Sequence, residues 1–314
     1  MIIKPSYLKL YESGVLKKRA KLAVEMLSQC TGCAWMCRKN RLEGQKGQCN
    51  TGALARVSSF GPHLGEEDPI RGTKGSGTIF FSSCNLHCQF CQNYEISQQE
   101  TGSEVGSTEL AGVMLTLQSM GCHNINLVSP SHVIPHIIEA LHVAIKEGLR
   151  IPLVYNSGGY DSLDALRLLD GIVDIYMPDM KYADSAMALK YSKIPDYPQI
   201  NQRAVKEMYR QTGNLDLDES GLAVKGLLVR HLVLPNNLAG SKEIFNFLAR
   251  EISKDTYINI MDQYQPSFHA NKFPDINRPI TRKEFDYAIQ SALNAGLHRL
   301  DGRKSSFLIN WIKP

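Results

Sequence analysis

Three cysteines crowd one short stretch, CNLHCQFC (84–91). Their spacing is C-x3-C-x2-C, with the aromatic Phe90 directly before the last thiol. A closed structural metal site takes four protein ligands, whereas a catalytic one keeps a coordination position open. Cys84, Cys88 and Cys91 suit three corners of a 4Fe–4S cube, which leaves the fourth iron without a protein ligand. The competing reading is a zinc site completed by His87, but His87 adjoins Cys88 and crowds a tetrahedral set.

A second patch has the fourth thiol that the first lacks. Cys30, Cys33, Cys37 and Cys49 read C-x2-C-x3-C-x11-C. Four thiolates can close around a structural zinc, or hold a second 4Fe–4S cluster acting as an electron relay. Arg38, Lys39, Arg41 and Lys46 would offset thiolate charge in either case. This segment is poor in large apolar residues and needs such a staple to fold. Cys122 stands alone and reads as a small buried residue. The glycine run GTKGSGT (72–78) lacks the G-K-[ST] end of a phosphate loop and precedes a strand, so it is not one.

The elements that must carry these residues follow from periodicity. Residues 15–29 show helical spacing of basic and apolar positions. GPHLGEEDPIRGTKGSG (61–77) reads as a connection. The domain boundary is placed there, giving a cysteine-rich metal-binding extension over 1–75 and a core over 76–314. From residue 78 strands and helices alternate. TIFFS (78–82), NINLV (124–128), IPLVYN (151–156), IVDIYM (172–177), GLLVRHLVL (226–234) and YINIM (257–261) are six strand candidates. Helices are expected over 107–121, capped by Ser107 or Thr108, and over 133–148, 161–170, 242–253 and 281–296. Six such units predict an α/β protein with a parallel sheet. We read it as a partial (β/α)6 barrel of the TIM type, with an open doubly wound sheet as the competitor. In both, chemistry sits at the carboxyl ends of the strands. Cys84, Cys88 and Cys91 follow the first strand at that end.

Here the sequence resembles the radical S-adenosylmethionine (SAM) superfamily. Its signature is a C-x3-C-x-aromatic-C loop after strand one of a partial barrel. The resemblance covers roughly 70–300, and FCQNYEIS (90–97) is similar to the pyruvate formate-lyase activating enzymes. It implies a 4Fe–4S cluster whose open iron binds the amino and carboxylate groups of SAM. Reductive cleavage of the sulfonium would then give a 5′-deoxyadenosyl radical that abstracts hydrogen. Residue by residue, the resemblance puts Phe90, Asn156, Ser157, Asp179 and Lys181 at the SAM pocket. Arg230 would face the SAM carboxylate, or serve as a structural ion pair. Gln263 and Tyr264 are candidates against the adenosine. Asn156 replaces an aspartate of relatives, which removes one charge from a monovalent-cation site. The Gly-Gly-Glu-like motif after strand two is replaced by LVSPSHV (127–133), where Ser129, Ser131 and backbone carbonyls could accept the SAM ammonium. His132 and His136 read as helix-start residues rather than a metal pair.

The function expected first is activation of a glycyl radical protein, with flavodoxin or ferredoxin as electron donor. Radical chemistry on a small metabolite or peptide is the alternative. A two-zinc nucleic-acid or protein-binding module is the reading of another class. Residues 1–56 carry eleven Lys/Arg against three Glu, a balance of +8 in a chain whose total is +4. Lys17, Lys18, Arg19 and Lys21 are read as one solvated helix face rather than a nucleic-acid arm. No apolar run reaches the length of a membrane span, and the opening MIIKPSYLKLYESG has no continuous apolar stretch. A cytoplasmic protein without disulfides is expected.

Overall fold

The computed structural model describes residues 4–302. Positions 303–314 of the expected core lie outside the described residues. The chain opens with two helices, α1 (Tyr7–Glu12) and α2 (Val15–Glu25). The four-cysteine patch follows. Next come β1 (Ala55–His63), the short helix α3 (Asp68–Arg71) and β2 (Ser76–Phe81). The three-cysteine loop leads to α4 (Tyr94–Gln98) and β3 (Ser103–Val105).

Strand–helix alternation then sets in: α5 (Ser107–Ser119), β4 (Ile125–Val128), α6 (Ile134–Lys146), β5 (Leu153–Ser157), α7 (Leu163–Leu168) and β6 (Ile175–Pro178). The rest is α8 (Ser185–Ser192), α9 (Tyr197–Thr212), β7 (Asp216–Leu217), β8 (Ala223–Leu232), α10 (Ser241–Phe247), β9 (Tyr257–Met261) and α11 (Arg282–Ala295).

The six parallel strands are β2, β4, β5, β6, β8 and β9, side by side in that order. These are the six strand candidates of the sequence. Among the described residues no ladder joins β9 back to β2, so the sheet is an open parallel array. β1 pairs antiparallel with β2, and β3 with β1.

Periodicity had not marked β1, because ARVSSFGPH mixes polar residues with Gly61 and Pro62. β3 pairs only Ala55 to Val57. Beyond that reach β1 is an edge, where a proline is tolerated. This strand joins the first 75 residues to the core sheet. Helix α2 packs on α6, and Leu16, Ala20 and Ala23 share one apolar core with Ile137, Ile138 and Leu141. Lys17, Lys18 and Lys21 lie on the exposed face of α2. The N-cap of α5 is Gly106, not Ser107 or Thr108. Its N–H donates to the Glu109 carboxylate at 2.7 Å, the half of a capping box that needs no side chain at the N-cap.

The alternation of side chains along the strands defines one face. On it, Val154, Ile175, Met177 and Leu228 form a small buried cluster closed by Ile70 of α3. One step further along the same chain segments stand Asn156, Asp179 and Arg230, with Val128 of β4 beside Asn156. They line a cavity at the carboxyl ends of the sheet.

Candidate functional site

The cavity measures about 420 Å³ and is lined by Cys84, Cys88 and Cys91 together with Ser129, Asn156, Ser157, Asp179, Lys181 and Arg230. Glu66, His63, Met261 and Gln263 are also on the wall. A volume of this order suits a nucleoside-sized ligand.

The cysteine loop is held from several sides. Ser83 adopts φ 69° as the chain leaves β2, and its N–H donates to Ile96 O at 2.9 Å. Gln89 N–H donates to Tyr191 O at 2.7 Å, and Asn85 Nδ2 to Tyr160 O at 2.7 Å. The thiols themselves have partners. Ser192 Oγ donates to Cys88 Sγ at 3.0 Å, and Cys91 Sγ and Ser97 Oγ lie 3.2 Å apart. Leu86 N–H points at Cys84 Sγ from 3.4 Å.

Burial pushes the Cys84 thiol up to about 12. Burial also raises Cys88, opposed by the nearby Lys181 ammonium. Burial pulls on Lys181 the other way, but Asp179 and then Cys88 outweigh it and hold the ammonium charged. Lys181 Nζ donates to Asp179 Oδ2 at 2.5 Å.

The glycines of YNSGGYD leave room for neighbouring protein atoms, and Gly158 also lines the cavity. A Cβ on Gly158 would lie 2.3 Å from Leu86 Cδ1 in the cysteine loop. Gly159 has φ 74°, and its Cβ would meet Asp179 O at 2.4 Å. They let the ends of β5 and β6 close against the loop.

Not every expected pocket residue faces the cavity. Phe90 is buried beneath the loop, its ring edge-on to Tyr264 at 5.6 Å. Tyr264 is buried too, and donates to Ile276 O at 2.8 Å. Ser131 is buried beside Asp161 and Tyr155, away from the lining. The cause is the turn after β4: Ser129, on the cavity, takes φ 57°, which swings the following residues inward. Ser157 lines the cavity but donates its Oγ to Asp161 Oδ2 at 2.8 Å. His87 Nδ1 lies 3.2 Å from Gln98 Oε1, and its Nε2 is buried without a partner.

Arg230 takes the ion-pair role. Its Nε and Nη2 donate to Glu67 at 2.7 and 2.5 Å, and Nη2 also meets Glu66. Both glutamates are buried. Sequence reasoning missed them because GEEDP reads as a solvated turn. The pairing spans more than 160 positions along the chain.

The four N-terminal cysteines also meet. Cys30, Cys33 and Cys49 are buried and Cys37 is half-buried. Burial raises the Cys33 thiol first, and its three partners add to the effect. A Cβ on Gly47 would lie 2.4 Å from Cys37 Sγ, so this glycine leaves room for the sulfur. Arg41 is fully buried. It reaches toward Cys30 Sγ at 3.8 Å and donates to His132 O at 2.7 Å and Gly52 O at 2.9 Å. Arg38, Lys39 and Lys46 are exposed.

The patch touches the cavity loop directly, because Trp35 Nε1 donates to Asn85 O at 2.7 Å. His132 Nε2 donates to Ser82 O and His136 Nε2 to Ala53 O, each at 3.0 Å. Since carbonyls only accept, each Nε2 carries the proton.

All eight cysteines are free. Among the described residues no group of three or more His, Cys, Asp or Glu is set to hold a metal ion. Thiolates of a cubane bind separate irons and need not converge on one point. Three free thiols on one cavity, beside a half-buried ammonium, therefore fit such a group.

A parallel α/β sheet with a thiol-lined cavity at its carboxyl ends is the class that fold and site define. No family model matches the chain. It is 30% identical over 287 residues to the uncharacterized protein MJ0674 of Methanocaldococcus jannaschii, covering 89% of this chain and 78% of that one. The chain belongs to the same family as that archaeal protein. Among solved structures it is similar to a radical SAM methyltransferase from Sphaerobacter thermophilus. That likeness has 13% identity and TM-score 0.48, over 78% of this chain and 76% of the other. SuiB of Streptococcus suis follows at 10% identity and TM-score 0.47, over 70% of this chain and 46% of that one. No described helix is long and apolar enough to cross a membrane.

Proposed function

We propose that this protein is a radical SAM iron–sulfur enzyme. The observation that carries the reading is the sharing of one cavity by Cys84, Cys88 and Cys91 with Asn156, Asp179 and Lys181. The three thiols would hold a 4Fe–4S cluster, and the rest of the cavity would take SAM. When bound, the two supply one-electron cleavage of a sulfonium carbon–sulfur bond followed by hydrogen-atom abstraction. The chain's own contribution is placement. Ser192 aims Cys88, Ser97 lies against Cys91, and Asp179 fixes the Lys181 ammonium beside the thiols.

The finer reading is activation of a glycyl radical protein, with a flavodoxin or ferredoxin donating the electron. The similarity of FCQNYEIS to the activating enzymes supports it, and an open sheet suits a macromolecular substrate. The four-cysteine patch would hold zinc or a second cluster.

The test begins with anaerobic purification, reconstitution, and counting of iron, sulfide and zinc per chain. SAM and dithionite are then added. Methionine and 5′-deoxyadenosine are the expected products. Absence of iron, or of both products, removes the reading. Transfer of deuterium from a glycine-labelled candidate partner into 5′-deoxyadenosine tests the finer step.

A further inference from the structure

Helix α8 ends against the cysteine loop, and its last two residues both reach it. Tyr191 O accepts from Gln89 N–H at 2.7 Å, and Ser192 Oγ lies 3.0 Å from Cys88 Sγ. Ser192 Oγ also lies 2.7 Å from the phenol oxygen of Tyr182, in the connection between β6 and α8. Tyr182 and Ser192 are both fully buried, and they stand behind the cavity wall rather than on it. The order of protons in this row follows from valence. A cysteine that ligates iron does so as a thiolate, which only accepts. Ser192 has one proton and gives it to Cys88, so Tyr182 gives its own to Ser192. Cys88 thus stands at the end of two hydroxyls in series, each polarising the next in a poorly screened place. The other two thiols are served differently. Cys84 meets the Leu86 N–H at 3.4 Å, and Cys91 meets the hydroxyl of Ser97, a residue on the wall, at 3.2 Å.

We infer that Tyr182 and Ser192 form a relay that donates into Cys88 Sγ and raises the reduction potential of the cluster held there. The inference rests on the reading of the loop as a 4Fe–4S site. One electron taken from a reductant adds negative charge to such a cluster, and part of it falls on the cysteine sulfurs. A donor aimed at one of those sulfurs favours the reduced form. The relay therefore makes the cluster easier to reduce, and a weaker reductant toward the ligand beside it. Both residues are positioning residues that act through Cys88 and touch no ligand in the cavity.

A potentiometric titration with dithionite on the reconstituted protein tests this without turnover. The quantity followed is the low-temperature paramagnetic resonance signal that Cys88→Ala lacks, which isolates the loop from any metal at Cys30–Cys49. Ser192→Ala is expected to shift the reduction equilibrium about threefold to tenfold toward the oxidised form, a fall of roughly 30–60 mV for one electron. Tyr182→Phe should lower it less, about twofold. Because Tyr182 acts only through Ser192, adding Tyr182→Phe to Ser192→Ala should change nothing further. Ser192→Thr keeps the hydroxyl and should keep the wild-type potential. A residue that merely holds the loop in place would alter iron content and leave the potential of the remaining clusters where it was. An unchanged potential in Ser192→Ala overturns the inference, as does an equal effect of Tyr182→Phe with and without the Ser192 hydroxyl. If Ser192→Ala loses its iron, Tyr182→Phe decides, and an unchanged potential there overturns the relay. A wild-type protein with no signal that depends on Cys88 brings down the cluster reading itself.

Discussion

Residues 84–91 and residues 30–49 both gather thiols, but they face different things. The first set opens on a cavity with Asp179, Lys181 and Glu66 on its wall. The second turns its thiols toward one another, under Arg41 and against Gly47. On the proposed reading, three thiols stand where a further ligand has room, and four where none is needed. The largest effects should therefore separate the two patches. Cys88→Ala is expected to abolish SAM cleavage and remove the iron of the loop, while metal at Cys30–Cys49 persists. Cys30→Ala should do the reverse. It should remove the patch metal, keep the loop iron, and lower the melting temperature by roughly 5–10 °C, at about 2–4 °C per kcal/mol. Metal counts and thermal melts on both variants check this. Loss of all metal from either variant would break the comparison.

The seam between the two regions carries a pH dependence. His132 and His136 bond carbonyls on either side of it, Ser82 and Ala53. Burial, then the Arg41 charge, pushes their pKa values down, to about 3 and about 4. Their Nδ1 atoms are buried without partners, so a second proton has nowhere favourable to sit. Both values lie below the ordinary value near 6.5. The unfolded chain therefore takes up protons first as pH falls. Their contribution is complete above about pH 6.5 and is lost progressively toward pH 4 and 3. The steepest loss is about 1.4 kcal/mol per pH unit for each histidine. Melting curves between pH 7.5 and 5 should show it, and His136→Gln should flatten the slope. A flat wild-type profile would sink the account.

A smaller effect probes the loop alone. Gly158→Ala puts a methyl 2.3 Å from Leu86 Cδ1. Leu86 lies between Cys84 and Cys88 and must move. The expected cost is about 1–3 kcal/mol, with partial loss of loop iron and no change at the patch. Iron and zinc counts on the purified variant decide. Full iron retention would mean that the loop tolerates a shift.

The parallel strands were legible because each is a short apolar run bounded by turn residues, as in NINLV and YINIM. So was the three-cysteine loop, since its spacing lies within eight residues. What stayed hidden depends on distance along the chain. β1 is half polar and is a strand only because β2 and β3 lie beside it. Glu66 and Glu67 acquire meaning only from Arg230. Ser131 and Phe90 were assigned by position in a motif, whereas the backbone turn at Ser129 and the ring of Tyr264 decide where they point.

The smallest expected effect tests whether the two regions act as one. Trp35 stands between Cys33 and Cys37, and its Nε1–H donates to Asn85 O inside the cavity loop. Its ring also meets Tyr160 edge-on at 5.7 Å, while Tyr160 O accepts from Asn85 Nδ2. The indole thus ties the patch to both walls of the loop. Trp35→Phe keeps an aromatic edge for Tyr160 and removes only the donor. The loss should be about 1 kcal/mol, since the Asn85 carbonyl is left partly unsatisfied. If the patch only staples the N-terminal region, the variant melts slightly lower and binds SAM as before. If it also sets the loop's position, SAM affinity falls about twofold to fivefold at unchanged iron content, which dialysis resolves. We expect the second outcome, because Asn85 directly follows Cys84 and any shift of its carbonyl moves that thiol.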